Sequence, residues 1–545
     1  MKIFIDKKYR WYEWKIEDVR LYIAGGFWIE NNYYEKKQAC QKLFERFFGS
    51  KTGLGSSVSI ISLAKVLTTL RGHFSAIIES PHFSLAFVDR IQSYPIYYFK
   101  NNEEVCVSNS AIAIRNIFEV NQICESSLLE FEMAGYVTGK YTIFENLFQL
   151  QAGEFLIFDV SKKNLETKRY YLYYPSELQE KNEEELLESL HQCTLKTFSQ
   201  MIETLEGRPV WVPLSGGYDS RLVLSLLLDL KYDNIKTFSY GPPWLWEVGR
   251  AREIVNFLNV KWYFIPYLPK EIKSQFHTED RQQYFEFASG CRAVPCLNDY
   301  YALRYLRKKK LITDDAIIIN GQSGDFTSGG HIPIIPNVEK IEVEHLFEAI
   351  IDKHFSLWLD LKTKENLDII IKKLSQLIHV SQKDTIYQDE FPLYYEQIEW
   401  QERQSKYVVN GQRVYDWFGY DWRLPLWSDE LMEFWVQVPW QIKQNQKLYI
   451  TYLEKYDPSS VFKKEWVKKI YSPVDRINLF LYVYGKLFKK DPEKLYQKFT
   501  RYFMSYGSFY PQNSYFEYLK DSKDHRNVVS YYAKILKKEF KNNLS

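Results

Sequence analysis

The stretch Val212-Pro213-Leu214-Ser215-Gly216-Gly217-Tyr218-Asp219-Ser220-Arg221 decides the reading of this chain. An apolar run, Pro209 to Leu214, enters it, and a leucine-dense helical pattern, Leu222 to Leu230, leaves it. A buried strand that ends in small residues and passes directly into a helix aims several backbone N–H groups at one spot. The helix dipole adds positive potential there, so the spot favours a phosphate or pyrophosphate. Gly216 and Gly217 let the backbone approach an anion closely. The hydroxyls of Ser215 and Ser220 can donate hydrogen bonds to it. Asp219 repels a bare phosphate, but it can hold a Mg²⁺ bound to one.

Working outward, Ile235 to Tyr240 and Trp262 to Ile265 read as strands, with helical spacing from Trp246 to Leu258 between them. Strands alternating with helices of this length indicate a parallel sheet. A further buried strand, Ala316 to Asn320, runs into a second small-residue loop, Asn320-Gly321-Gln322-Ser323-Gly324-Asp325 and on to Gly330. Ligands of open parallel sheets sit outside the carboxyl ends of the strands, so Asp219 and Asp325 can share one metal. Beyond Phe391 the chain reads as mostly helical. The first 175 residues differ. Short aromatic and β-branched segments such as Phe74 to Ile78, Phe83 to Val88 and Tyr94 to Phe99 suggest an α+β domain built on antiparallel sheets. The charged run Ser176 to Glu185 reads as a linker, which divides the chain into domains at 1–175 and 186–545.

Composition narrows the classes. The chain has 545 residues, 46% of them hydrophobic, enough for sizeable cores. Lys+Arg is 71 and Asp+Glu is 69, a net charge of 71 − 69 = +2, which gives no global reason to expect nucleic acid. The six cysteines are scattered, which favours free thiols, and Cys291 and Cys296 lack the second pair that a zinc site needs. No apolar h-region opens the chain and no uncharged run approaches the roughly 18 residues of a membrane helix, so a cytoplasmic protein without a membrane partner is expected. Gly49-Ser50-Lys51-Thr52 lacks the spacing of a Walker A loop. None of the nine histidines has metal or triad spacing, and His73, at the start of an apolar strand, reads as structural.

The chain resembles the asparagine synthetase family, whose synthetase domain is an ATP pyrophosphatase of the PP-loop type. Ser215 to Ser220 is similar to its Ser-Gly-Gly-x-Asp-Ser signature. Thr237 to Gly241 with Ala251-Arg252-Glu253 resembles its second strand and helix, Ser289 and Arg292 its Thr-x-x-Arg pair, and Gly321 to Asp325 its Gly-Glu-Gly-Ser/Ala-Asp loop. Arg423-Leu424-Pro425-Leu426-Trp427 resembles the family's Arg-Val-Pro-Phe-Leu segment. In the first part, Arg71 to Ala76, Asp89-Arg90, Tyr94 to Tyr98 and Thr142 to Gly153 resemble its Ntn-type glutaminase domain, an antiparallel α+β sandwich.

The resemblance implies ATP and Mg²⁺ as cofactors. It implies that Leu214, Ser215, Gly216, Gly217, Asp219 and Ser220 hold ATP or its pyrophosphate, joined by Ser239, Tyr240, Ser289, Asn320 and Gly321. It gives Asp219 and Asp325 to the metal, Lys464 or else Lys447 together with Arg292 to the reacting phosphates, and Gln322 to substrate contact; His331, which follows Gly329-Gly330 near the candidate pocket, is a further candidate for substrate contact by its position. The implied reaction adenylates a small-molecule or peptide carboxylate, releases pyrophosphate, and passes the acyl group to an amine. A homodimer is the assembly to test. Two departures stand out. Glutamine-hydrolysing members carry an N-terminal cysteine nucleophile after Met removal, and here position 2 is Lys2, as though the domain were a relic like those of the β-lactam synthetases and lasso-peptide cyclases. Gln322 replaces a glutamate and cannot act as a base, which leaves Glu399, Glu402 and Tyr407 as candidates. Asparagine synthesis from ammonia or glutamine, a PP-loop enzyme acting on nucleic acid, and a non-catalytic nucleotide-binding module remain the alternatives.

Overall fold

The computed structural model describes residues 1–49, 60–175, 177–381, 383–463, 466, 502, 518 and 525–542. Lys464, Glu465 and the Ser50-Lys51-Thr52 stretch lie outside the described residues.

Short segments rich in aromatic and β-branched residues build two mainly antiparallel sheets in the first part. One runs in the order Asn164–Arg169, Glu154–Asp159, Phe83–Val88, Arg71–Glu79, Val19–Ile29, Tyr12–Ile16, with Asn32–Glu35 added to Val19–Ile29. The other runs Lys2–Phe4, Val105–Ser108, Tyr97–Lys100, Leu147–Gln149, and only its first pair is parallel. Tyr22, Ile77, Ala86 and Leu156 of the first sheet meet Tyr98 and Val107 of the second in one buried cluster. The opposite face of the first sheet packs on the helices Lys36–Phe48 and Ile60–Leu67 through Leu43, Phe47, Leu63 and Leu67. Sheets with the face-to-face period of two bury one side on each other and the other side under helices.

The second part carries a parallel sheet in the order Lys261–Pro266, Ile235–Gly241, Val210–Pro213, Ile317–Ile319, Asp421–Arg423. Its central strands, Val210–Pro213 and Ile317–Ile319, are short, apolar and largely buried, as strands covered on both faces are. The order reverses beside Val210–Pro213: the next strand in sequence lies on one side of it, and Ile317–Ile319 lies on the other. At such a reversal, successive crossovers leave in opposite directions and open a crevice at the carboxyl ends of the strands. Tyr218–Asp229 is the helix that leaves the first of them.

The charged run read as a linker is only partly one. Helix Glu183–Glu203 starts inside it, with Asn182 accepting from the Glu185 N–H at 3.0 Å and the Asn182 N–H donating back to Glu185 at 3.0 Å. This is a capping box, and its three glutamates sit where the helix dipole favours them. No helix among the described residues is long and apolar enough to cross a membrane.

Candidate active site

Both small-residue loops reach the reversal crevice. Together they line a cavity of about 430 Å³, with Ser215, Gly217, Asp219 and Ser220 from one loop and Asn320, Gly321, Gln322, Ser323 and Asp325 from the other. The first loop is held by its own hydroxyls. Ser220 Oγ accepts from the Ser215 N–H at 3.1 Å and lies 3.0 Å from Ser215 Oγ, which accepts from the Gly217 N–H at 3.1 Å. The Gly216 carbonyl turns away to Arg221 and Arg250, at 3.1 and 3.3 Å. Close approach explains the glycines of the second loop: a Cβ on Gly321 would lie 2.8 Å from the Ser220 nitrogen, and one on Gly324 would lie 2.5 Å from Asp219 Oδ1.

The loops meet at their aspartates. The Asp325 N–H donates to Asp219 Oδ2 at 3.1 Å, and the Tyr449 hydroxyl donates to Asp219 Oδ1 at 3.0 Å. Burial, together with the negative charge of Asp325, pushes the Asp219 carboxyl up to about 7. Burial also works against the charge of Asp325, but a hydrogen bond from His331 prevails and holds its carboxyl below the usual range. Two carboxylate oxygens on facing loops, with one raised by the other's charge, fit a hard divalent cation that completes its shell with phosphate and water. Among the described residues no three histidine, cysteine or acidic side chains converge on a metal site, so the donors suit Mg²⁺ carried by phosphates rather than a cage made of protein alone.

A second cavity, of about 240 Å³, adjoins the first and shares Pro213, Ser215, Tyr240 and Asn298 with it. It is lined by Leu214, Phe238, Ser239 and Val248. Ser239 Oγ donates to the Leu214 carbonyl at 2.6 Å and accepts from Trp262 Nε1 at 2.9 Å, which ties the loop to the next strand.

Several expected residues lie elsewhere. Arg292 and Ser289 do not line either cavity. Arg292 is buried between the two parts of the molecule and donates to Gln92 Oε1 and Gln149 Oε1, at 2.6 Å each. Residues 291–294 pair with the segment 135–143 of the first part, for example Val137 N–H to Arg292 O at 2.8 Å and Ile143 N–H to Cys291 O at 2.9 Å. That pairing turns the guanidinium away from the phosphate loop. Ser289 is fully buried, with its hydroxyl on the Glu286 carbonyl at 3.2 Å. Lys447 opens helix Lys447–Tyr456, points outward with 62% of its side chain exposed, and lies 3.4 Å from Glu183. Its neighbour Gln446 lines the cavity instead.

The remaining candidates sort by contact. Gln322 Oε1 accepts from Gln412 Nε2 at 2.5 Å in the cavity wall. Glu402 is spent on Lys406 at 2.6 Å and on the Gly139 N–H at 2.9 Å. Glu399 is buried and pairs with His331 Nδ1, whose Nε2 lies 3.1 Å from Asp325 Oδ2. Burial opposes the charge of Glu399, but His354 and His331 hold its carboxyl well below the usual range. Burial lowers and the two carboxylates raise His331, leaving it at about 8. His331 is therefore a positive brace behind Asp325. Tyr407 is half-buried, and burial raises its hydroxyl. His73 faces the Trp427 carbonyl at 3.3 Å between the two parts. One residue escaped the reading of the sequence: Asp299, in the first turn of helix Asn298–Lys308, lines the cavity and binds the hydroxyls of Tyr240 and Tyr415. Its only signal is an acid opening an amphipathic helix, which a helix dipole explains equally well.

The asparagine synthase family model matches residues 201–468, which include both loops. This segment is an asparagine synthase domain. A Methanocaldococcus jannaschii protein named as a candidate glutamine-hydrolysing asparagine synthetase is 27% identical over 157 residues. That match spans 28% of this chain and 30% of the relative, under a third of its length. Two solved structures were also found, each with a TM-score of only 0.20. An allosteric regulatory enzyme of purine biosynthesis shares 8% identity over 57% of this chain and 56% of its own. Glutamine phosphoribosylpyrophosphate amidotransferase of B. subtilis shares 9% over 66% and 73%. At that score neither says anything about the fold of this chain. The asparagine synthase domain thus holds the parallel sheet, both loops and the facing aspartates, while the antiparallel sheets lie before it.

Proposed function

We propose that the protein is an ATP-dependent amide ligase that adenylates a substrate carboxylate and passes the acyl group to an amine, with residues 1–175 and 186–545 as its two domains. The observation that carries this reading is the meeting of Asp219 and Asp325 across the reversal crevice, beside the loop at the start of helix Tyr218–Asp229. The N–H groups and helix start of the first loop suit a pyrophosphate, and the apolar second cavity suits the adenine. A carboxylate oxygen of the acid attacks the α-phosphorus, the bond to the β-phosphate oxygen breaks, and pyrophosphate leaves. The amine nitrogen then attacks the acyl carbon and AMP leaves with the former carboxylate oxygen. Asp219 and Asp325 would hold Mg²⁺, which would supply the charge that neutralises the departing polyanion. His331 and Glu399 keep Asp325 ionised for that task. Lys464 is the cation proposed for the phosphates, ahead of Lys447.

Glutamine is not the proposed amine source. Burial raises the thiols of Cys40, Cys106, Cys193, Cys291 and Cys296 to about 11 or 12, and Cys124, whose thiol is lowered, caps a helix beside Ser126. A buried thiol of that kind is a poor nucleophile. We place the enzyme in the cytoplasm, in keeping with ATP use and six free cysteines, acting on a small-molecule or peptide acid. Asparagine formation from aspartate is the second reading, favoured by the name of the archaeal relative. Product analysis separates them. With Mg·ATP, an acid panel and ammonia, the proposal expects AMP and pyrophosphate; ADP and phosphate would refute it. Asparagine from aspartate would establish the second reading, and equal yield with glutamine as sole nitrogen source would refute the relic glutaminase.

A further inference from the structure

The cavity beside the two loops carries three aspartates, Asp219, Asp299 and Asp325, and no lysine, arginine or histidine among the described residues that line it. The first and third face each other and suit the metal. Asp299 has no such partner. Its side chain leaves the start of its own helix and reaches two other elements, taking the Tyr240 hydroxyl on Oδ1 and the Tyr415 hydroxyl on Oδ2. Tyr415 is fixed in turn by Asn320 Nδ2 at 2.9 Å, so the arrangement is tied to the second loop. Tyr240 is fixed by stacking on Tyr267, with ring centroids 5.1 Å apart.

This is a built acceptor. Asp299 is only 7% exposed, and no described lysine, arginine or histidine lies within ion-pair distance of it. Burial holds its carboxyl above the usual carboxylate range, and the two tyrosines offset this only in part. A carboxylate has about four lone-pair sites, and each oxygen here uses one, which leaves room for further donors from the cavity side. A buried charge without a counter-charge is costly, and a cationic ligand removes that cost. Carboxylate oxygens with lone pairs left over, fixed by two tyrosine hydroxyls, match a primary ammonium group, which brings three donors. A phosphate or a second carboxylate would be repelled.

We infer that Asp299, with Tyr240 and Tyr415, is the receptor for a primary ammonium group of a substrate. The inference rests on the ligase reading for its place in the reaction, since either the activated acid or the attacking amine could bring the ammonium. The site itself stands on the geometry of the cavity.

The test uses the full chain with Mg²⁺ and the non-cleavable α,β-methylene analogue of ATP. Calorimetry compares propylammonium with 1-propanol, a neutral molecule of the same length. The expected result is millimolar binding of propylammonium, at least tenfold weaker binding of 1-propanol, and at least a tenfold loss of propylammonium affinity in Asp299→Asn, with analogue affinity within twofold of wild type. Equal affinity for the two probes in the wild type overturns the inference without any variant. So does unchanged propylammonium binding in Asp299→Asn, or loss of nucleotide binding in that variant, which would make Asp299 a reader of ATP. Tyr415→Phe, which keeps the carboxylate, is expected to weaken the probe severalfold. Turnover locates the source. Competition by propylammonium against the acid during pyrophosphate release assigns the ammonium to the acyl substrate, whereas competition against the amine alone assigns it to the nucleophile. If the probe binds as expected but no acid yields AMP, the ligase reading fails and the ammonium site stands. If AMP forms equally from aspartate and succinate, and Asp299→Asn alters neither acid nor amine kinetics, the site fails and the ligase reading stands.

Discussion

The seam between the two parts and the cavity at the end of the parallel sheet treat buried charge in opposite ways. Along the seam, charges are neutralised by the protein itself. Arg90 sits between Asp429 and Glu433, at 2.8 Å from each, Lys406 lies 2.6 Å from Glu402, and Lys373 lies 2.7 Å from Glu130. Arg292, which has no acid partner among the described residues, is held by two glutamine oxygens. In the cavity, three aspartates line one space, and of these only Asp325 has a described cation behind it, His331 at 3.1 Å. A fold tolerates buried charge when it is paired, and charge left unpaired in a cleft is the signature of a ligand yet to arrive. The seam is structural chemistry, completed on folding; the cavity is completed by what binds it.

The contrast breaks most visibly at the aspartates. Asp219→Asn is expected to lower AMP formation by at least about a hundredfold, the usual scale for losing a charge-stabilising group at a phosphoryl site, while the thermal midpoint of the ligand-free protein does not fall. Unchanged turnover over a Mg²⁺ titration would remove Asp219 from the metal. The seam should behave in reverse. Arg90→Met strands the buried Asp429, while Glu433 keeps Arg71 at 3.0 Å, and should cost roughly 3 kcal/mol of stability, the scale for removing one partner of a buried pair. Denaturant unfolding measures it, and the KM for ATP should not move in the folded fraction. Arg292→Met should likewise lower stability and leave that KM alone; a selective rise in KM would return Arg292 to the phosphates.

The pH response sharpens the same contrast. The carboxyl of Asp219 is raised to about 7 in the fold, against roughly 4 in an unfolded chain. Its contribution to stability is therefore full below about pH 4 and is lost as pH rises through about 7. The ligand-free protein should lose stability over that range by this route, Asp219→Asn should lack that loss, and Mg²⁺ affinity should rise over the same range as the carboxyl ionises. Thermal unfolding from pH 4 to 8, with and without Mg·ATP, measures both. The smallest effect is expected at Lys447. Its ion pair with Glu183 is exposed, so Lys447→Ala should change stability by under about 1 kcal/mol and turnover by less than twofold. A large loss of turnover would restore it as the phosphate cation in place of Lys464.

What could be read in the sequence was local. Val210–Pro213 and Tyr218–Asp229 flank Ser215 to Gly217 as the apolar run and the leucine pattern indicate, because a strand, a small loop and a helix are specified by adjacent residues. The antiparallel and parallel textures of the two parts were legible for the same reason. Contacts across the chain were not. Nothing near Arg292 announces Gln92 and Gln149, which lie 200 and 143 residues away, so a loose Thr-x-x-Arg likeness sent it to the phosphates. The bracing of Asp325 by His331 depends on Glu399, 68 residues on from the histidine. Asp299 meets Tyr240 and Tyr415 from 59 and 116 residues away. Charge in the run 176–185 suggested a linker, where the Asn182–Glu185 reciprocity starts a helix.

The most direct test of the account is the metal dependence of ATP binding to the full chain. ATP alone is a polyanion entering a cavity lined by three aspartates. Calorimetry should find tight binding of Mg·ATP, binding at least tenfold weaker when Mg²⁺ is chelated, and loss of that difference in Asp219→Asn. Equal ATP affinity with and without Mg²⁺ in the wild type would contradict the claim that this cavity is built to be completed by cations.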